Sequence, residues 1–215
     1  MIKLLIVDDH ELVRTGIIRI LKDAPDLIVV GQASSGEEAL DLARSLQPDI
    51  ILMDVRMPGI GGLEATRKLS QRHPEIRVIA VTACEGDLFP SRLMQAGARG
   101  YLTKGADAEE MLTAVRLIAK GGYYISPAVA QQMALKPLTH DSLHNPLSSL
   151  SEREIQIALM IAQGHKIQTV ADMLSLSPKT INTYRYRIFE KLDVENDVEL
   201  ALFAVRHGLV EAEVI

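Results

Sequence analysis

Short continuous apolar runs alternate with stretches of helical period through residues 1–121. The runs cover residues 2–7, 27–31, 49–53, 76–81 and 100–103. Unbroken apolarity over so short a length marks strands buried on both faces of a parallel sheet. Between them, Leu12, Val13, Ile17, Ile20 and Leu21 share one face of a helix over residues 11–22, which Asp23-Ala-Pro-Asp26 breaks. Ser34-Ser-Gly-Glu-Glu38 opens a second helix that stops before Gln47-Pro48. Met57-Pro-Gly-Ile-Gly-Gly62 is a loop, and the helix after it ends at His73-Pro74. Further helices are predicted over residues 88–96 and 108–120. Five βα units in succession imply an α/β fold, a doubly wound five-stranded parallel sheet with helices on both faces.

Gly121-Gly122 closes that repeat. Residues 122–146 read as a linker punctuated by Ser126-Pro127, Lys136-Pro137 and Asn145-Pro146, with room for a short helix over 128–135. Residues 147–215 are helical throughout and predict an all-α four-helix domain. Ser151-Glu-Arg-Glu154 is a capping box, with Leu150 and Ile155 as its hydrophobic staple. A second helix covers 167–174. Ser177 caps a third, running to residue 192 with Pro178 at its first position, where no N–H is missed. A fourth covers 198–207 and stops at Gly208. The tight Ser175-Leu-Ser177 turn between the second and third makes a helix-turn-helix candidate.

Composition narrows the class. The chain has 215 residues, 47% of them apolar, enough for two cored domains. Met1 leads straight into a strand, without the basic start and small-residue cleavage site of a signal peptide. No run approaches the ~18 apolar residues of a membrane span. The single Cys84 excludes an internal disulfide framework, reads as a plain reduced thiol, and fits a cytoplasmic protein. Net charge is −5, so any contact with nucleic acid needs a local basic patch.

The ends of the runs carry the candidate chemistry. The first strand leads into Asp8-Asp9, the third into Asp54, the fourth into Thr82 and the fifth into Lys104. Ligands of such sheets sit at the carboxyl ends of the strands, so these side chains should converge. A carboxylate can attack a phosphoryl donor to form an acyl phosphate. The transferring group then needs a hard cation and fixed positive partners. Mg²⁺ prefers oxygen ligands: Asp9 and Asp54 offer carboxylates, Asp8 can hold a coordinated water, and the Arg56 carbonyl is close in sequence. Lys104 and Thr82 suit phosphoryl oxygens. Singly, the aspartates could be caps or turns, the lysine a solvated charge and the threonine a strand residue. Together they point to one Mg²⁺-dependent aspartyl-phosphate site.

Residues 1–121 resemble the receiver domain of bacterial two-component response regulators, a flavodoxin-like fold. The likeness lies in Val7-Asp-Asp-His10, Met53-Asp-Val-Arg-Met-Pro58, Val81-Thr82 and Tyr101-Leu-Thr-Lys104. It implies that Asp54 accepts a phosphoryl group from a sensor histidine kinase, that Asp9 binds Mg²⁺ directly and that Asp8 supports the metal. It also implies that Thr82 and Tyr101 form a switch, the hydroxyl moving to the phosphoryl group and the ring packing inward behind it. Gly105 departs from the family, many of whose members carry Pro there after a cis bond. A cis bond before Gly would cost about 2.5–4 kcal/mol, so the family's loop geometry is not carried over.

The helix over 178–192 has Ile181, Ile188 and Leu192 as its inward stripe. Its bases are Lys179, Arg185, Arg187 and Lys191, against one acid, Glu190. Such a helix can enter a major groove. Asn182 and Thr183 lie near the end that reaches base edges, and the four bases suit phosphates. Of Tyr184 and Tyr186, one can pack inside and the other reach phosphate. Yet residues 147–215 hold ten acids and seven bases, so charge alone does not mark a DNA-binding domain.

Leu150-Ser-Glu-Arg-Glu154, Val170-Ala171, Leu174, Leu176-Ser-Pro-Lys-Thr-Ile181 and the following Tyr-Arg-Tyr-Arg resemble the LuxR-type helix-turn-helix of NarL/FixJ-class response regulators. The long runs 57–67, 151–160 and 179–191 are similar to the GacA/UvrY/LetA group of that class. The resemblance implies a DNA-binding transcriptional regulator gated by phosphorylation of Asp54 and served by a hybrid sensor kinase. It implies activation of small regulatory RNA genes, and a homodimer when phosphorylated or DNA-bound, with the last helix as a contact. The DNA-binding residues it implies are Lys179, Thr180, Asn182, Thr183, Arg185, Tyr186, Arg187 and Lys191. It makes the protein a phosphoacceptor rather than a classical enzyme. Two readings compete. A small-molecule phosphatase would use similar acyl-phosphate chemistry, but the second Asp of haloacid-dehalogenase-type enzymes is replaced by Arg56. A receiver joined to a protein- or RNA-binding module would lack DNA affinity with a steep salt dependence.

Overall fold

The computed structural model describes residues 1–82, 89–135, 149–174, 176–207 and 210. Cys84, Ser175, Gly208 and the linker residues 136–146, all singled out above, lie outside them. The chain divides into two compact units, Met1–Leu135 and Lys136–Ile215.

In the first unit the strands are β1 (Ile2–Val7), β2 (Leu27–Ala33), β3 (Ile50–Asp54), β4 (Arg77–Thr82), β5 (Gly100–Thr103) and β6 (Tyr124–Ile125). They form one sheet in the order β2-β1-β3-β4-β5-β6, and every pairing is parallel. The expectation of five strands is thus one short: β6 adds to the edge, with Gly100 opposite Tyr124 and Tyr101 opposite Ile125. Two residues show no periodicity, so the pattern gave no sign of it. The intervening helices are α1 (Glu11–Lys22), α2 (Gly36–Leu46), α3 (Gly61–Arg72), α4 (Phe89–Gln95) and α5 (Ala108–Ala119). After β6 comes α6 (Pro127–Leu135), which packs against α4. Residues 123–135, read from sequence as linker with a short helix over 128–135, belong to this compact unit, and the helix is α6.

The central strands are buried on both faces, as unbroken apolar runs require. On one face Leu4, Ile6, Ile50, Leu52, Ile79, Val81 and Leu102 pack with Ile17 and Leu21 of α1 and Met111, Ala114, Val115 and Ile118 of α5. Leu12 does not join them. It is 84% exposed, because Val13, Ile17, Ile20 and Leu21 already fill the inward stripe and Leu12 falls outside it. The strand order reverses direction between β1 and β3, which opens a crevice at their carboxyl ends. Short caps fix the helix starts: Ser35 accepts from the Glu38 N–H, and Asp107 from the Glu110 N–H.

The second unit contains α7 (Glu152–Ala162), α8 (Ile167–Met173), α9 (Pro178–Leu192) and α10 (Asp197–Arg206). The capping box at Ser151 and Glu154 forms as the sequence implies, and Leu150 and Ile155 are both buried. Ser177 caps α9 with Pro178 in its first turn. Asn196 caps α10 by accepting from the Glu199 N–H, which starts that helix slightly earlier than its apolar pattern.

Candidate phosphoryl site and DNA-reading helix

The register of the sheet brings the predicted side chains together. Asp54 is the last residue of β3 and sits opposite Val81; Thr82, the last of β4, sits opposite Thr103. The Lys104 N–H donates to the Thr82 carbonyl at 2.8 Å, which carries β5 one residue further and aims Lys104 along the same edge. Its ammonium then lies 2.7 Å from Asp8 Oδ2 and 2.9 Å from Asp54 Oδ2. One cation bridges two carboxylates that are 1% and 2% exposed. That is the pairing buried charges need.

Titration behaviour follows from this burial. Asp54 is pushed up to about 6, chiefly by desolvation, with the Lys104 hydrogen bond acting against it. Burial pulls the Lys104 ammonium down, but its bonds to Asp8 and Asp54 outweigh that and leave it above its ordinary value. Asp9 is more open. The ligand atoms of Asp8, Asp9, His10 and Asp54 lie within 4.8 Å of one another. This carboxylate-rich set, joined by one imidazole, fits a hard divalent cation.

Two further predicted residues are in place. Thr82 and Tyr101 are both fully buried. The Arg56 N–H donates to Asp54 Oδ1 at 3.2 Å, fixing the start of the loop after β3. Gly62 is required there by packing: a Cβ would come within 1.9 Å of the Asp54 carbonyl oxygen. No cis peptide occurs among the described residues, so Lys104–Gly105 is trans.

Sequence reasoning missed three participants. His10 places Nδ1 2.8 Å from Asp9 Oδ1; its position beside the acid pair was the available signal. Arg14 donates from α1 to the Asp8 carbonyl at 2.6 Å. Glu37 of α2 accepts from the Ile60 N–H at 3.0 Å. For the last two, only the fold shows the proximity.

In the second unit α9 buries Ile181, Ile188, Phe189 and Leu192. Lys179, Thr183, Tyr186 and Arg187 are exposed, while Thr180, Asn182 and Tyr184 are partly buried. Two bases expected to contact phosphate are engaged within the domain. Arg185 donates from Nε and Nη2 to the two carboxylate oxygens of Asp197, at 2.6 and 3.0 Å, and lies over the Phe189 ring. Lys191 donates at 2.7 Å to Glu154 Oε2, an oxygen that also accepts from the Ser151 N–H and hydroxyl. Lys191 therefore ties α9 to the first turn of α7. The α10 face is unlike its neighbours: Val198, Leu202 and Val205, spaced along one side, are 70%, 52% and 39% exposed.

Residues 4–116 match the response regulator receiver domain, and residues 148–204 match the bacterial regulatory proteins of the luxR family. The chain belongs to the LuxR family of two-component response regulators, DNA-binding proteins that regulate transcription. It is 66% identical to the response regulator GacA of Pseudomonas aeruginosa, over 99% of each chain. It is 50% identical to the response regulator UvrY of Escherichia coli, over 100% of this chain and 99% of that one. Among solved structures, the RcsB response regulator of Salmonella typhimurium aligns with a TM-score of 0.76 at 22% identity, covering 96% of this chain and 98% of that one. At that identity the likeness is one of fold. No helix among the described residues is long and apolar enough to cross a membrane.

Proposed function

We propose that Asp54 is the phosphoacceptor of this regulator, receiving its phosphoryl group from the phosphohistidine of a sensor kinase. The observation that carries this reading is Lys104 Nζ, held between Asp8 and Asp54 at the carboxyl edge of the sheet. Asp54 supplies the nucleophilic oxygen, and Lys104 stays beside the oxygens of the incoming group. Asp9, Asp54, the Arg56 carbonyl and a water on Asp8 would hold Mg²⁺. When bound, the metal supplies charge neutralisation on the transferring group. The Thr82 hydroxyl turns to the phosphoryl group, and Tyr101 stays behind it. The α4–β5–α5 surface then favours the DNA-binding state by differential binding.

The exposed residues of α9, Lys179, Thr183, Tyr186 and Arg187, enter the major groove and its flanking phosphates, with Asn182 and Thr180 beside them. The apolar face of α10 pairs two copies on neighbouring half-sites. By the likeness to GacA and UvrY, the regulated genes include small regulatory RNAs and the kinase is of the hybrid kind.

Labelling tests the reading. Wild type, incubated with Mg²⁺ and a phosphorylated sensor-kinase domain, should take up one phosphoryl group in an acid-stable, base-labile acyl linkage. Asp54→Asn should take up none. Undiminished labelling of that variant would overturn the assignment.

A further inference from the structure

We infer that Glu37 is a positioning residue for the phosphoryl site: its carboxylate holds the loop after β3 in the register that presents Asp54 and Arg56. The inference rests on the aspartyl-phosphate reading above. Glu37 stands in the first turn of α2. Its Oε1 accepts from the Ile60 N–H at 3.0 Å, joining segments 23 residues apart. The carboxylate also lies flat against the bare Cα of Gly59. A Cβ there would meet Oε1 at 2.5 Å and Oε2 at 2.6 Å, and Gly59 has φ +80°, where glycine is favoured.

The surrounding packing is equally close. A Cβ on Gly36 would fall 2.8 Å from Ile60 Cγ1 and 3.0 Å from the Gly61 carbonyl oxygen, so the start of α2 is seated directly on the loop. The loop's inner end is pinned by the Gly62 N–H, which donates to the Val55 carbonyl at 3.1 Å, and by the Arg56 N–H on Asp54 Oδ1. Glu37 pins its outer end. Capping does not account for Glu37, because the next residue performs it. Glu38 Oε2 accepts from the Ser34 N–H and hydroxyl, and Ser35 returns the cap to the Glu38 N–H. Glu37 is left to grip the segment that carries a metal-binding carbonyl. Groups that orient ligands in this way change metal affinity without touching the metal.

Three variants separate reach from charge. Glu37→Gln keeps an oxygen at the same reach and loses the charge. Glu37→Asp keeps the charge and withdraws it by one methylene. Glu37→Ala removes both. Mg²⁺ alone is titrated calorimetrically, amide exchange at Ile60 is followed in metal-free protein, and KM and kcat are measured with acetyl phosphate. The expected result is a loss of Mg²⁺ affinity of about tenfold in the Ala and Asp variants, with the Gln variant near wild type. Ile60 exchange should quicken in the same two variants, with thermal stability little changed. If Ala does not fold, the Asp variant carries the comparison. Wild-type Mg²⁺ affinity in the Ala or Asp variant would overturn the inference and leave the phosphoryl reading standing. A loss in Gln but not in Asp would also overturn it, by making charge rather than position decisive. Failure of wild type itself to bind Mg²⁺ would overturn the phosphoryl reading and this inference together.

Discussion

At Asp54, burial of a carboxylate costs stability near neutral pH. Its folded pKa of about 6 lies above its ordinary 3.8, mainly through desolvation. The folded, metal-free protein therefore binds a proton that the unfolded chain releases. This contribution to stability is fully present below pH 3.8 and is lost as pH rises through about 6. A shift of about two units corresponds to about 3 kcal/mol at most. Asp54→Asn should accordingly raise the melting temperature in a chelator near neutral pH and raise it far less in acid. Equal effects at both pH values in thermal unfolding would contradict the assignment of the strain to this carboxylate.

Glu154 has the opposite sign. Burial pushes its carboxyl up, but Lys191 and the Ser151 N–H and hydroxyl together outweigh that and hold it below its ordinary value. Its stabilisation is present above the unfolded value of 4.5 and is lost as pH falls through the lower folded one. Glu154→Ala, which also removes half of the capping box, should cost the second domain about 1–3 kcal/mol in denaturant unfolding near neutral pH. The same geometry separates two bases of α9. Arg187→Ala should lower the slope of log binding constant against log salt by about one phosphate contact. Lys191→Ala should lower domain stability and leave that slope in place.

Elements explain what could be read in advance. Asp8, Asp9, Asp54, Thr82 and Lys104 were legible because each follows a buried apolar run, and a parallel sheet brings such ends to one edge. Ser177-Pro178 was legible because cap and first-turn proline act within a few residues. β6 was not, since its two residues gain strand geometry only by pairing with Gly100 and Tyr101. The fastening of the segment after it was equally hidden: Glu110 of α5 accepts from Ser126 at 2.6 Å and from Tyr124 at 3.2 Å. The Arg185–Asp197 pair was hidden as well, because α9 read alone shows only its bases, whereas Asp197 arrives from α10.

α10 yields the prediction that belongs to this scale. Leu200 and Ala204 are buried, while Val198, Leu202 and Val205 face outward. Leu202→Glu should therefore leave the domain folded, by circular dichroism, and reduce affinity for paired half-sites about tenfold, which is about 1.4 kcal/mol. Affinity for a single half-site should change little. An equal loss on both would show that the face serves folding rather than pairing.

At the scale of the molecule, the protein joins a receiver domain to a LuxR-type DNA-binding one. A phosphoryl group can shift DNA affinity only as far as it binds the active arrangement better than the inactive one. That sets the decisive measurement: enrichment of genomic DNA fragments by wild type and Asp54→Asn, each with and without a phosphoryl donor. The account predicts that paired half-sites are enriched more strongly by wild type with donor, and that donor makes no difference to Asp54→Asn. Enrichment that ignores both donor and mutation would contradict it, leaving a DNA-binding protein whose receiver does not govern that binding.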